Sequence, residues 1–219
     1  MSATNRSDVR LPDDFYSTPH WTVWRLLDAL HETVGRMEDL SKGLFLEPCI
    51  GDGAIVEAVN VWMDDKGLDL PRWTVVEKRG LGMVKHLHRD FHRGMTGDFL
   101  SDSTDLWLHE IRREELDSGR FHAVITNPPY SLAQEFLVRS LQHARWVIFL
   151  LRLNYLGSER RADFMRKYPP DVYVLPNRPS FTGQGKTDAT EYSWCVWPPD
   201  RDRKQGMIRV LGSTLKEDR

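Results

Sequence analysis

The sequence predicts an α/β protein built on a mostly parallel, doubly wound sheet. Three observations predict it. Short apolar runs alternate with helical patterns along the 219 residues. The run Leu44-Phe45-Leu46 passes through a turn holding Gly51 and Gly53 into a helical pattern, the nucleotide-binding opening of such a sheet. The run over 121–125 ends at Thr126-Asn127-Pro128-Pro129-Tyr130, at the carboxyl end of a strand, where open α/β sheets place their ligands.

Length and composition suit one soluble domain over 1–219, with a flexible start at 1–13 and a fraying tail at 213–219. No apolar run approaches a membrane span, and the polar N-terminus carries no signal-peptide pattern. Cys49 and Cys195 lie far apart in apolar contexts, which fits a reducing cytoplasm better than a disulfide framework. A net charge of −2 excludes a uniformly basic nucleic-acid binder, so a polyanion would have to be held by local basic patches.

The elements follow in order. Phe15-Tyr16-Ser17-Thr18-Pro19 leads into a helix, with Thr18 as N-cap and Pro19 as first helical residue. Val23, Leu26, Leu27, Leu30, Val34 and Met37 fall on one face of it. After the first strand, Glu47-Pro48-Cys49-Ile50-Gly51-Asp52-Gly53 forms the glycine turn. Ile55, Val56, Ala58, Val59 and Trp62 then give the next helix. The turn lacks the three-glycine dinucleotide fingerprint, which points to a ligand without a pyrophosphate. Trp73-Thr74-Val75-Val76 is a second strand. Glu77 at its tip is placed to accept both hydroxyls of a ribose.

The 78–93 stretch is basic and holds His86, His88 and His92. No cysteine or acidic cluster accompanies them, so a solvated face is expected and no metal site. A third strand ends near Asp98-Phe99, where Asp98 can accept from an adenine amino group with Phe99 beside the ring. The 102–120 segment reads as an insertion with a short helix. The central strand and the proline turn come next, then a helix with Leu132, Phe136, Leu137 and Leu141, then a buried strand over 146–151. The 152–186 stretch interleaves Arg152, Arg160, Arg161, Lys167, Arg178 and Lys186 with aromatic residues, a pattern that can grip a phosphate backbone and unstacked bases. Strands are expected at 172–175 and 191–197, and one more at 207–211. A long glycine-rich loop at 176–186 joins the first two.

The proline turn suits one chemical problem. An exocyclic amino group on a nucleobase is a poor nucleophile, because its lone pair is delocalised into the ring. The Asn127 side-chain oxygen and the Pro128 carbonyl can each take one of its hydrogens and draw the nitrogen towards tetrahedral geometry. Pro128 and Pro129 stiffen the corner, and Tyr130 can stack on the base.

Together these segments resemble the S-adenosylmethionine-dependent DNA adenine-N6 methyltransferases of the Asn-Pro-Pro-Tyr group, over roughly residues 15–197. The resemblance implies a Rossmann-like seven-stranded methyltransferase fold with an antiparallel last strand. It implies S-adenosylmethionine as cofactor, held by Tyr16, Thr18, Pro19, Glu47, Pro48, Gly51, Gly53, Glu77, Lys78, Asp98, Phe99 and Asn127. Asn127, Pro128, Pro129 and Tyr130 would be the catalytic block, and Arg178-Pro179-Ser180-Phe181 the later block. Tyr130 and Phe181 would then sandwich an adenine flipped out of duplex DNA. Cys49 and Ile50 replace the smaller residues often found in the family's glycine turn. No stretch is long enough for a large target-recognition region, so a short site, a nonspecific enzyme, a recognition partner or a homodimer all stay open. RNA adenine, a protein glutamine, and a non-catalytic cofactor- or DNA-binding module are the alternatives.

Overall fold

The computed structural model describes residues 17–33, 43–82, 84, 91–181, 188–200 and 202–215. Its centre is one eight-stranded sheet: β1 (Leu44–Glu47), β2 (Arg72–Glu77), β3 (Arg93–Thr96), β4 (Phe121–Thr126), β5 (Ala144–Arg152), β6 (Asp171–Val174), β7 (Tyr192–Trp197) and β8 (Ile208–Val210). The spatial order is β3-β2-β1-β4-β5-β7-β6-β8. Only β7 runs against the rest: it pairs antiparallel with β5 and β6, and every other pairing is parallel. The expected seven strands are therefore present with the antiparallel one in place, and the tail adds β8 at the edge beside β6.

Alternation along the strands decides the layers. Phe45, Trp73, Val75, Ala123, Ile125, Ile148 and Leu150 face one core with helices α1 (His20–His31) and α2 (Ala54–Asp65). Leu44, Leu46, Val124, Val147, Phe149 and Leu151 face the other, with α3 (Asp102–Glu115) and α4 (Ala133–His143). The short α5 (Ala162–Lys167) follows β5. The central strands are buried on both faces, so they read as continuous apolar runs rather than alternating ones.

Two expectations are corrected here. The 102–120 segment is no insertion but the crossover from β3 to β4, 14 residues of which form α3. A parallel connection of this kind needs a covering helix. Only Thr104, Leu108 and Ile111 of α3 are buried, which is why its apolar signal is weak. Thr18 does not cap α1 either. The helix begins at His20, with Pro19, which has no side-chain acceptor, at the cap position, and the Thr18 hydroxyl bonds Asn127 instead. Val34 and Met37 lie outside the described residues.

Ser213 and Thr214, expected to fray, are held in this structure. Arg25 Nε donates to Thr214 Oγ1 at 3.0 Å, and the Thr214 N–H donates to Asn177 Oδ1 at 2.8 Å.

Candidate active site

The carboxyl ends of β1, β2 and β4 open into one cleft enclosing about 780 Å³, open solvent included. Each wall has a local cause. At the end of β1 the chain turns through Gly51 (φ 62°) and Gly53 (φ 87°), left-handed conformations that a side chain resists. The turn brings the N-terminus of α2, whose first N–H donates from Ala54 to Asp52 Oδ1 at 3.2 Å, to the floor of the cleft. Pro48, Gly51, Asp52 and Ile55 line it from this side.

Glu77 closes β2 and is 4% exposed. Its Oε2 accepts the Gly51 N–H at 2.8 Å, tying the glycine turn to the second strand. Its Oε1 accepts the Arg79 N–H at 3.0 Å and Arg79 Nε at 2.9 Å. A carboxylate oxygen can accept more than one hydrogen, and Glu77 lines the cleft. Across the cleft mouth, Lys78 Nζ lies 3.1 Å from Asp98 Oδ2. Asp98 Oδ1 accepts the Leu100 N–H at 2.9 Å; that bond and the Lys78 ammonium hold its carboxyl below the usual range. Phe99 and Phe136 supply apolar wall, in ring contact at 5.0 Å. Arg139 of α4 donates to the Phe99 and Ser101 carbonyls at 3.1 and 2.8 Å and pins this loop.

Asn127 enters from β4. Its Nδ2 donates to Thr18 Oγ1 at 3.1 Å, and its Oδ1 accepts the Tyr130 hydroxyl at 2.9 Å. The corner rests on a buried layer. Cys49 Sγ lies 3.0 Å from Thr126 Oγ1 and donates to the Asn127 carbonyl at 3.6 Å. Burial pushes the Cys49 thiol well up, so it packs as a neutral group. Burial also raises the Glu47 carboxyl to about 8, against the lowering pull of hydrogen bonds from Thr126 and Cys49.

The Tyr130 ring lies 5.9 Å from Tyr192, and the Arg152 guanidinium stands over it at 4.8 Å. Burial raises the Tyr130 phenol, so it stays a donor. The Tyr192 hydroxyl donates to Asp188 Oδ2 at 2.7 Å and accepts Arg152 Nε at 3.3 Å.

The structure thus brings together Thr18, Pro48, Gly51, Glu77, Lys78, Asp98, Phe99, Asn127 and Pro129 on one cleft. Glu47 and Pro128 are buried directly behind it. Phe181 is placed differently from the expected sandwich. It is 8% exposed and meets Tyr192 edge-on at 5.0 Å, and Tyr192 in turn lies 5.9 Å from Tyr130. Tyr16 and Lys186 lie outside the described residues.

The predicted basic stretch divides. Arg152 ends β5 on the cleft side, Arg161 Nε donates to the Tyr155 carbonyl just beyond it, and Arg160 beside it is exposed. Arg178 lies 3.3 Å from Glu191, just before β7. Lys167 sits at the other end of the sheet. Its neighbour Tyr168 accepts the Trp197 indole N–H, and Trp197 pairs with Val147 near the start of β5.

Sequence reasoning missed Arg79, Leu132 and Phe136 as cleft or anchoring residues, and Asp188 and Tyr192 behind Tyr130. Position was the available signal: Arg79 follows Glu77 by two, and Leu132 and Phe136 follow the proline turn at helical spacing.

The similarity to solved structures is one of architecture. A protein from Listeria monocytogenes assigned to the class I S-adenosylmethionine-dependent methyltransferases superposes with a TM-score of 0.63 at 13% identity, over 94% of this chain and 68% of that one. The fold is that of the class I methyltransferases. A type I restriction-modification methyltransferase subunit from Streptococcus thermophilus gives 0.62 at 14% identity, over 89% of this chain and 47% of that one. This chain therefore spans about half the length of that subunit. The 23S rRNA methyltransferase ErmE gives 0.52 at 13% identity, over 87% of this chain and 71% of that one. No protein-family model matches the sequence, and no curated protein matches it.

Proposed function

We propose that the protein transfers a methyl group from S-adenosylmethionine to the N6 amino group of adenine in DNA. One observation carries the proposal: the Asn127 carboxamide lines the same cleft as Glu77 and Asp98. A group that reshapes an amino nitrogen then borders a site with acceptors for a ribose and for an adenine edge.

The donor set fits the cofactor. Glu77 Oε2 keeps acceptor capacity for a ribose hydroxyl, Asp98 can accept from an adenine amino group, and Phe99 and Ile55 offer apolar faces. When bound, S-adenosylmethionine supplies a methyl carbon on a positively charged sulfur. The glycine turn, without the three-glycine fingerprint, suits a ligand without pyrophosphate better than a dinucleotide.

The remaining work belongs to the corner. Asn127 Oδ1 accepts the Tyr130 phenol and is the acceptor proposed for one N6–H. The Pro128 carbonyl takes the second N6–H. The nitrogen lone pair would then be localised for attack on the methyl carbon; the carbon–sulfur bond would break to leave a neutral thioether, and the surplus N6 proton would pass to water. Positioning and aimed dipoles supply the acceleration, with no strong base. The base has to leave the helix stack to reach this depth. Tyr130 is the ring it stacks on, backed by Tyr192, while Phe181 buttresses Tyr192 from behind. Arg152, Arg160, Arg161 and Arg178 are the cations assigned to the DNA backbone.

A recognition subunit or a second copy is the proposed partner, a reading supported by the likeness to a restriction-modification methyltransferase subunit. No described helix is long and apolar enough to cross a membrane. A second reading, transfer to adenine in RNA, draws on the likeness to an rRNA methyltransferase. Incubation with methyl-labelled cofactor and separate DNA, RNA and protein pools tests both. Label in DNA supports the proposal, label in RNA alone favours the second reading, and label in protein alone overturns both.

A further inference from the structure

We infer that Thr18 is the positioning residue that sets the orientation of the Asn127 carboxamide; the inference rests on the role proposed for Asn127. A carboxamide is nearly symmetric in shape but opposite in chemistry at its two ends. With Oδ1 forward, it accepts a hydrogen from the incoming amino group. Rotated by half a turn, it would set its own NH2 against that amino group, donor against donor. Something has to hold the NH2 end back.

Thr18 does so in this structure. Its Oγ1 accepts Asn127 Nδ2 at 3.1 Å, a contact between residues 109 apart in the chain. Oδ1 is thereby turned to the side where Tyr130 reaches it. Thr18 is 4% exposed, so its hydroxyl does not trade this bond freely for water.

The anchor is itself fixed. Pro19 limits its own φ and biases Thr18 towards extended backbone. The Pro19 carbonyl accepts both the Thr22 N–H at 3.0 Å and the Thr22 hydroxyl at 2.8 Å. The Thr22 carbonyl in turn accepts the Trp194 indole N–H at 2.8 Å, tying the start of α1 to β7 in the sheet. The hydroxyl facing Asn127 is therefore carried by the rigid body of the sheet.

Two variants test this. Thr18→Val keeps the shape and removes the hydroxyl, whereas Thr18→Ser keeps the hydroxyl. In ligand-free protein, the Asn127 side-chain NH2 should give two resolved proton signals slow to exchange with water. Thr18→Val should lose that protection while the rest of the spectrum stays dispersed, and Thr18→Ser should keep it. In turnover with DNA, Thr18→Val should lower kcat by about 10- to 100-fold, the scale of a misplaced catalytic group. Thr18→Ser should restore kcat to within about threefold of wild type.

A protected Asn127 amide in Thr18→Val, or a loss confined to KM, overturns the inference. If wild-type protein leaves adenine unmethylated while the amide signals behave as expected, the proposed function fails and the Thr18 hold on the carboxamide stands.

Discussion

Replacing Glu77 by glutamine tests the joint between the glycine turn and the second strand. Every protein contact made by this carboxylate is with a donor: Gly51 N–H on one oxygen, Arg79 N–H and Nε–H on the other. A glutamine can keep only one oxygen. If that oxygen faces Arg79, the new NH2 opposes the Gly51 N–H; if it faces Gly51, the NH2 opposes both Arg79 donors. Either way a donor meets a donor in a site 4% exposed. An orphaned buried donor costs about 1–3 kcal/mol, and a charge-assisted bond is lost besides, so about 3 kcal/mol is the expected destabilisation. For a domain of this size that lowers the melting temperature by roughly 6–12 °C. Thermal unfolding of the ligand-free variant reads this directly, and calorimetric titration with S-adenosylmethionine should show affinity falling as well. A variant that melts within about 2 °C of wild type refutes the reasoning, because no choice of rotamer avoids the conflict.

Three further outcomes follow from particular contacts. Asn127→Ala should lower methyl transfer by about a hundredfold or more while cofactor affinity stays within a few-fold, read by rate and by calorimetry. Glu47 sits folded with its carboxyl at about 8, against 4.5 unfolded, so between those values the folded state holds the extra proton. Its contribution is full below the unfolded value and is lost as pH rises to about 8, at about 1.4 kcal/mol per unit. Glu47→Gln should remove that decline, matching wild type near pH 4.5 and exceeding its melting temperature above pH 8. Gly206→Ala should destabilise by about 1–3 kcal/mol or more in chemical denaturation, since its Cβ would stand 1.8 Å from the Pro170 carbonyl oxygen, which is backbone.

The central sheet was legible because its strands are buried on both faces. Leu44 to Leu46, Val75, Val76, Ile125 and the β5 run announce themselves by continuous apolarity. The cleft was legible as a place: Glu77 ends β2, Asp98 and Asn127 follow β3 and β4 within two residues, and parallel strands bring all three to one opening. What escaped was decided at long range. α3 covers the sheet with three buried side chains, too few for a clear period. Thr18 looks like a cap because capping is a local property, whereas its true partner is 109 residues away. Phe181 looked open because a loop position says nothing of Tyr192, which reaches the same point from β7. Lys167 was grouped with Arg152 by sequence proximity, yet the chain crosses the full height of the sheet between them.

The measurement closest to the central claim is mass analysis of nucleosides from adenine-containing duplex DNA incubated with the protein and S-adenosylmethionine. Wild-type protein should yield N6-methyl-2′-deoxyadenosine, and Asn127→Ala should yield none above background. Unmodified DNA from the wild-type reaction, methylation confined to another base, or undiminished product from the variant would contradict the account.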